Sequence, residues 1–377
     1  MPSFYQDELY RALSSRGSID VHIIYAHDVS HDRRRLGWIN PSGGYSSVRL
    51  TGKWSIMKAI RHAWMRRDEI HVVGGIWAEP AFAAALAVLG CTGSVFAVLS
   101  EPPDPRIPRS GPKLWIRQTF GRWVATRCGA HAMPISTAAS SFLNELGFTN
   151  LNTYPFLYTR SRPVLKMREN RVGTASDVIE FLFVGQLTSR KGVDILVQAL
   201  APFVITNERI KLALVGHGEA AEELRHMVTS LGIIDRVTFE GTLPSNRVLQ
   251  RIARSSILVL PSRWDGWGLV VNEAFSVGIP VIVSDMCGAR DLVDQGINGW
   301  VFKSDNVESL RDAIRHYLAA DRTILSDKAQ EMGNLVATES VIPYLEQCIN
   351  HMEGLTSERP VPGWETQRAE GSRSIVQ

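Results

Sequence analysis

Two carboxylates, eight positions apart, flank a glycine-rich turn in the second half of the chain. Asp265 precedes the turn and Glu273 follows it, after the apolar run 257–261. A turn of this kind, leading from a strand into a helix, exposes backbone N–H groups that can bind a phosphate. Glu273 could then bind the hydroxyls of a ribose and Asp265 those of a sugar, although alone they could be ordinary surface acids. The turn comprises Gly266, Trp267, Gly268 and Leu269.

A basic pair follows a second apolar run, at 178–184. The run ends at Gly185 and Gln186, and the pair, Arg190 and Lys191, comes just before a helix-like pattern. Two cations near the end of a strand could neutralise a diphosphate. An isolated basic pair is more often a surface feature, so the pair is informative only beside the other segments.

A third segment with paired glycines follows the run 210–215. Gly216 and Gly218 flank a histidine, and residues without a side chain let the backbone approach a nucleotide closely. A Gly-x-Gly sequence is weak evidence on its own. The three segments therefore point to a nucleotide site only in combination.

Strand-like and helix-like segments alternate along both halves of the chain. This alternation predicts an α/β fold with parallel sheets, whose ligands bind beyond the carboxyl ends of the strands. Strands are predicted at 21–25, 71–73, 95–99, 132–135, 178–184, 210–215, 237–239, 257–260 and 280–283. Helices are predicted at 81–89, 114–127, 138–146 (capped by Ser136 or Thr137), 193–200, 224–231 and 310–317 (capped by Asp305 or Asn306).

The length of 377 residues is enough for two domains. A stretch rich in Arg, Ser and Pro separates them, and the last residues are polar. We expect an N-terminal domain at 1–160, a linker at 161–176, a C-terminal domain at 177–335 that carries the three glycine-containing segments, a helix at 336–353 that packs back towards the N-terminal domain, and a loose tail at 354–377.

The composition, 45% hydrophobic and 21% charged, is that of a globular protein. The four cysteines lie far apart in sequence, which argues against a zinc knuckle or a redox pair and suits a reducing, cytoplasmic compartment. The uncharged stretch 80–100 is interpreted as a helix followed by a strand rather than a membrane span, because a turn signal at 89–94 divides it.

Basic residues are concentrated in the first part of the chain. Residues 1–160 contain 18 Lys and Arg against 11 Asp and Glu, whereas the whole chain has a net charge of +3. The stretches 53–67 and 113–127 interleave cations with tryptophans, a pattern that suits the inner face of a membrane. The alternative is a solvated face with tryptophans in the core. No motif supports binding of nucleic acid.

The three glycine-containing segments together resemble the retaining glycosyltransferases of family 4. The resemblance covers about 180–302 and includes 185–187, 190–192, 215–218 and 298–302. It implies the GT-B fold, which consists of two facing Rossmann-like domains with parallel sheets. The N-terminal domain, 1–160, would bind the acceptor, and the C-terminal domain, 177–335, would bind the nucleotide sugar. It also implies transfer of a hexose from a nucleotide-diphosphate sugar to a glycan or lipid-linked acceptor, in polysaccharide or glycolipid biosynthesis. No metal or other cofactor is expected.

The resemblance also assigns roles to residues. Glu273 would bind the ribose, Asp265 and the turn after it would hold the sugar and phosphates, and Lys191 would stabilise the leaving diphosphate. The other residues of the expected donor site are Gly185, Gln186, Arg190, Gly216, Gly218, Gly266, Trp267, Gly268 and Leu269.

The sequence departs from the family pattern in four places. Asp265 stands where Glu is usual, Trp267 replaces a smaller aromatic residue, and Gln186 replaces a basic one. The family also opens with a strand and a glycine-containing loop that have no counterpart in the first residues of this sequence. We therefore expect the first N-terminal strand to be missing and one sheet edge to be bare.

The sequence gives weaker indications of where an acceptor would bind. Glu101 follows the predicted strand 95–99, where family members often have a histidine, and it could assist the acceptor hydroxyl as a base. A loop acid without a catalytic role fits equally. Gly74, Gly75, Ile76 and Trp77 end another predicted strand and could shape the acceptor pocket.

Two other functions fit the same architecture. A nucleotide-sugar epimerase would need acid-base groups on both sides of the sugar, which Asp265 and Glu273 supply less well. A catalytically inactive partner protein is the other alternative, suggested by Gln186 and the missing strand. Turnover of a donor with and without an acceptor separates these possibilities.

Overall fold

A computed structural model describes residues 4–29, 43–50, 54–74, 79–106, 111–127, 130–148, 153–163 and 178–366. These residues form two compact units. The N-terminal unit contains the described residues up to Thr159 together with Thr338–Thr366, and the C-terminal unit contains those in Arg160–Ala337. The predicted linker, apart from 161–163, lies outside the described residues, as do Gly75, Ile76 and Trp77.

The C-terminal unit is built on one parallel sheet of six strands. Its strands are β6 (Ile179–Val184), β7 (Ile210–Val215), β8 (Val237–Gly241), β9 (Ile257–Leu260), β10 (Val281–Ser284) and β11 (Gly299–Phe302). Their order in the sheet is β11-β10-β9-β6-β7-β8. This is the order of a doubly wound sheet, in which all strands are parallel and the side on which the chain adds successive strands switches between β6 and β9. A ligand of such a sheet binds at that switch point, beyond the carboxyl ends of the strands.

Helices separate most of these strands along the chain. Between the strands lie α6 (Val193–Thr206), α7 (Ala221–Ser230), α8 (Ser245–Ile252) and α9 (Val270–Ser276), and β11 is followed by α10 (Val307–Ala319) and α11 (Arg322–Leu335). Every residue of β9 and β10 is buried, as expected for central strands of a sheet covered on both faces. Asn306, rather than Asp305, caps α10, because its side chain accepts a hydrogen bond from the Ser309 N–H at 2.9 Å.

The N-terminal unit contains two smaller parallel sheets. One pairs β1 (His22–Tyr25) with β2 (Ser46–Arg49), and the other has the order β3-β4-β5, from His71–Gly74, Phe96–Ser100 and His131–Pro134. The helices up to Thr159 are α1 (Phe4–Ser15), α2 (Ser55–Met65), α3 (Pro80–Thr92), α4 (Pro112–Arg127) and α5 (Thr137–Glu145). The first described element is therefore a helix, and the first described strand is β1.

The stretch 80–100 has the structure expected from its turn signal. Helix α3 ends at Thr92, Gly93 adopts a left-handed conformation at its end (φ 70°), and strand β4 follows. Among the described residues, no helix is both long and apolar enough to cross a membrane.

The C-terminal segment packs on the N-terminal unit. Helix α12 (Thr338–Met352) is joined to α1 by an ion pair between Arg16 Nε and Glu346 Oε1 at 3.0 Å. The prediction of a loose tail from Gly354 is wrong for the residues up to Thr366. Trp364 is buried, and its ring meets that of Tyr344 edge-on at 5.4 Å. Pro360 and Pro362 are buried as well, so Trp364 and the two prolines anchor a polar segment whose composition resembles a tail.

Candidate functional site

The predicted donor residues lie near the carboxyl ends of β6 and β9, at the switch point of the doubly wound sheet in the C-terminal unit. Beyond the carboxyl end of β6, a short 3-10 helix (Ser189–Lys191) carries the basic pair. Gly192 follows it with a φ of 64°, and a Cβ added there would lie 2.1 Å from the Pro261 carbonyl oxygen. Only glycine suits this conformation and contact. The close approach brings Lys191 to the loop after β9, which carries Asp265.

Lys191 and Asp265 form an ion pair. Lys191 Nζ donates to Asp265 Oδ2 at 2.5 Å, and the two side chains are only 14% and 15% exposed. The backbone of Asp265 is fixed on both sides: its N–H donates to the Met286 carbonyl, and its carbonyl accepts from the Gly288 N–H, each at 3.0 Å. Two residues that are 74 positions apart are therefore held together at the expected site.

Arg190 is engaged with the same loop. Its Nη1 donates to the Trp264 carbonyl at 3.0 Å, and its guanidinium lies 5.8 Å from the centre of the Trp264 ring. Both contacts hold the Arg190 side chain against Trp264 in the loop after β9. A role in binding phosphate remains a prediction for this residue.

Arg263 is a site-forming residue that the sequence pattern did not reveal. Its guanidinium binds both carboxylate oxygens of Asp194, at 2.9 and 2.7 Å, and also donates to the Ser189 carbonyl at 2.6 Å. The hydrogen bonds to Asp194 are the main reason that the pKa of Arg263 is raised. The bidentate contact with Asp194 and the hydrogen bond to Ser189 hold the basic segment against the loop after β9. The order Ser-Arg-Trp after an apolar run is the only local signal for it.

In the glycine-rich turn, the side chain of Trp267 points into the protein. Trp267 is 4% exposed, and its indole N–H donates to Asn272 Oδ1 at 2.8 Å. Gly268 has a φ of 95°, and a Cβ there would lie 2.6 Å from Cys287 Sγ. The ring of Trp267 is therefore part of the core, so at this residue the backbone rather than the side chain is suited to bind a ligand. Burial raises the pKa of the Cys287 thiol, which argues against a reactive thiolate.

Glu273 lies on helix α9 and is 3% exposed. A carboxylate is rarely buried to this degree in a folded protein without a specific partner or role. Its burial excludes the interpretation of Glu273 as a surface glutamate. The eight positions between Asp265 and Glu273 span a turn and the first residues of helix α9, as expected.

The third predicted segment packs on the first residues after β6. A Cβ on Gly216 (φ 140°) would lie 1.8 Å from the Gly185 carbonyl oxygen, and one on Gly218 would lie 2.2 Å from the Leu187 oxygen. The Leu187 N–H also donates to the His217 carbonyl at 3.0 Å. Packing between two loops thus already requires these glycines. Whether they also approach a nucleotide remains a prediction, as it does for the exposed Gln186.

Two buried hydroxyl groups adjoin the ion pair in sequence. Thr188 Oγ1 and Ser262 Oγ are among the few buried side-chain polar atoms in the described part of the chain that have no hydrogen-bond partner. A buried hydroxyl without a partner is unfavourable unless something else satisfies it. Both residues lie within three positions of Lys191 or Asp265. They are additional candidates for contact with a ligand.

The N-terminal unit places Glu101 directly after β4, as expected. Glu101 is exposed and accepts a hydrogen bond from the Tyr158 hydroxyl. A second pair, which the sequence pattern did not reveal, joins His27 after β1 to Glu79 before α3. Within the described ranges, no group of three or more His, Cys, Asp and Glu side chains could hold a metal ion.

The two α/β units with parallel sheets give this chain the GT-B fold. The crystal structure of Anabaena HepE in complex with UDP matches it with a TM-score of 0.71, over 93% of this chain and 97% of that chain, at 16% identity. At this identity the likeness shows the fold alone.

The sequence comparisons point to the C-terminal unit. Residues 168–334 match the family described as glycosyl transferases group 1. An uncharacterised glycosyltransferase of Methanocaldococcus jannaschii is 30% identical over 35% of this chain and 34% of its own. The GDP-mannose-dependent alpha-(1-6)-phosphatidylinositol monomannoside mannosyltransferase of Mycobacterium tuberculosis is 31% identical over 40% of each chain. The matches thus span less than half the length of either relative.

Proposed function

We propose that this chain is a retaining glycosyltransferase of family 4 that moves a hexose from a nucleotide-diphosphate sugar to a glycan or lipid-linked acceptor. The observation that carries the proposal is the ion pair between Lys191 and Asp265 at the switch point of the doubly wound sheet. The match of 168–334 to glycosyl transferases group 1 supports it. So do the relatives named for sugar transfer and the UDP bound to HepE.

Three side chains of the site have assigned roles in this proposal. Lys191 neutralises the leaving diphosphate, Asp265 binds hydroxyls of the transferred sugar, and Glu273 binds the ribose. The ion pair keeps the lysine and the aspartate in place before the donor arrives, which reduces the reorganisation needed at the transition state. The acceptor oxygen bonds to the anomeric carbon as the bond from that carbon to the phosphate oxygen breaks. The leaving diphosphate accepts the proton of the acceptor hydroxyl, and a base on the acceptor side can assist by hydrogen bonding to that hydroxyl before the proton is transferred.

The N-terminal unit is the proposed acceptor domain. Glu101, which is exposed at the end of β4, is the candidate for assisting the acceptor hydroxyl as a base. Its contact with the Tyr158 hydroxyl holds the carboxylate in one orientation. The reaction is proposed to need no divalent metal. Transfer that persists in EDTA would support this point, and transfer restored only by added metal would contradict it.

The donor site is tested by thermal unfolding with a panel of UDP-, GDP- and ADP-sugars. A ligand that binds only the folded state adds about 2.7 kcal/mol at a hundredfold excess over its Kd. We expect one nucleotide to raise the melting temperature of the protein. Glu273→Gln, which preserves the buried shape, should remove the shift, whereas Glu331→Gln at an exposed position of α11 should retain it. Equal shifts in both variants would contradict the assigned ribose contact.

Product analysis separates transfer from the two alternatives. A transferase releases nucleoside diphosphate faster when an acceptor is added and retains the anomeric configuration in the product. An epimerase converts the donor into a second nucleotide sugar without an acceptor. A protein that binds a donor but gives neither product would be an inactive partner protein, and the proposed activity would then be wrong.

A further inference from the structure

Helix α2 exposes an unusual number of large apolar side chains. Met57, Ile60 and Trp64 follow the spacing i, i+3, i+7, so they lie along one side of the helix, and each is between 38% and 58% exposed. Trp54, Ile56 and Met65 are also exposed. Only Ala59 and Ala63 of this helix are buried. An apolar strip of this kind on a surface helix marks a site of interaction.

A basic groove lies beside this apolar strip. It has a volume of about 670 Å³ and runs between α2 and β2. Its cationic lining consists of Arg49, Lys58, Arg61 and Arg66, with His62 between them. Arg66 is paired with Glu69 at 3.0 Å and Arg49 with Asp28 at 2.8 Å, and Glu69 is the one carboxylate that lines the groove itself. The groove is therefore positively charged overall.

The charge of the helix itself strengthens this contrast. Residues 54–67 contain four Lys and Arg and no Asp or Glu. Arg67 lies over the ring of Trp64, with 5.5 Å between the guanidinium carbon and the ring centre. Tryptophan and arginine side chains both suit the boundary between lipid headgroups and acyl chains. Aromatic and cationic groups thus lie together on one exposed helix.

We infer that the surface formed by α2 and β2 docks on an anionic phospholipid bilayer. Met57, Ile60 and Trp64 enter the interfacial region, and the basic groove receives lipid phosphates. An amphipathic helix with aromatic and cationic residues binds such a surface through buried apolar area and electrostatic attraction. A second copy of this chain is disfavoured as the occupant, because a two-fold interface would bring the two sets of cations together. The binding does not depend on transferase activity.

Sedimentation with vesicles tests this inference on the full chain. One set of vesicles contains phosphatidylcholine alone, and the other an equimolar mixture with phosphatidylglycerol. We expect binding to the anionic vesicles, a decrease in that binding at high salt, and a blue shift of the tryptophan fluorescence on binding. Equal binding to both sets, or to neither, would overturn the inference.

Substitutions at exposed positions of α2 test whether this surface binds the vesicles, and they leave the buried core unchanged. Ile60→Ser combined with Trp64→Ser should weaken binding to anionic vesicles by at least tenfold. Arg61→Gln alone should weaken it about fivefold, because one cation near an anionic surface is worth about a factor of that size. The controls are Ile324→Ser and Arg322→Gln, two exposed positions of α11, which should bind as the wild type does. Unchanged binding in the α2 variants would overturn the inference, as would self-association in solution that Trp64→Ser abolishes.

Discussion

At the scale of single residues, the candidate site depends on contacts that allow little substitution. Lys191, Asp265 and Glu273 could be chosen from the sequence because their spacing from glycines and apolar runs is characteristic. Arg263 could not, because its partner Asp194 is 69 positions away and nothing local marks the pair. The side chain of Trp267 lies in the core rather than at the surface of the turn. A motif indicates which backbone is placed at a site, but not where each side chain points.

The geometry around Lys191 requires a residue without a side chain at Gly192. We expect Gly192→Ala to lower the free energy of unfolding by roughly 2–5 kcal/mol, since it combines left-handed strain with a clash against the Pro261 carbonyl. Urea unfolding measures the change. Gly232→Ala is the matched control, because Gly232 has a similar φ of 70° and an added Cβ would meet nothing within 4 Å. The control should lose only about 1–2 kcal/mol, and equal losses would refute the proposed clash.

At the scale of helices and strands, continuous apolar runs were the most reliable signal. Strands β6, β7, β9 and β10 were predictable because they are largely buried and consist mainly of apolar residues. Strand β11 was not predicted. Strand β2 was missed, since Ser46–Arg49 has one apolar residue and is largely exposed. The packing of residues after Gly354 was missed for a similar reason, because only a few buried residues, Trp364 with Pro360 and Pro362, lie within an otherwise polar segment.

Trp364 is expected to stabilise the N-terminal unit. Trp364→Ala should lower the free energy of unfolding by about 3–5 kcal/mol, because a large buried aromatic side chain is removed from its contact with Tyr344. Val361→Ala, at an exposed position of the same segment, should change it by less than about 0.5 kcal/mol. Chemical unfolding of both variants measures the difference. A neutral Trp364→Ala would mean that this segment contributes nothing to stability.

Two stacked histidines make the stability of the N-terminal unit depend on pH. His22 and His62 lie 5.4 Å apart between ring centres, and burial, followed by nearby Arg66, lowers the pKa of both. The unfolded chain therefore takes up these protons more readily than the folded one. The stabilisation is present above the ordinary histidine pKa of about 6.5 and is lost as the pH falls below it.

Thermal unfolding at pH 7.5 and at pH 5.5 tests whether stability falls at the lower pH, as predicted. The wild-type protein should lose stability at the lower pH, and His62→Gln should lose less than the wild type does. His316→Gln, at an exposed position of α10 in the other unit, serves as the control and should retain the full pH dependence. An unchanged slope in His62→Gln would show that the pair is not responsible.

At the scale of the whole molecule, the two units have separate proposed tasks. The C-terminal unit carries the family match and the ion pair, and it is the proposed donor domain. The N-terminal unit carries Glu101 and the surface of α2 and β2, and it is the proposed acceptor and membrane-binding domain. Two α/β domains with parallel sheets were predictable from the alternation of strands and helices. The base, sugar and acceptor were not, since they depend on loop contacts that have no fixed sequence pattern.

The most direct test of the donor site is calorimetric titration with UDP, GDP and ADP and with the corresponding monophosphates UMP, GMP and AMP. We predict that one diphosphate binds at least tenfold more tightly than its monophosphate. Lys191→Met should weaken diphosphate binding by roughly 10–100-fold, the value of a charge-assisted contact. Lys211→Met, at the amino end of β7, should leave that affinity unchanged. Absence of diphosphate binding, or an affinity that Lys191→Met does not alter, would contradict a donor site at the switch point of the sheet.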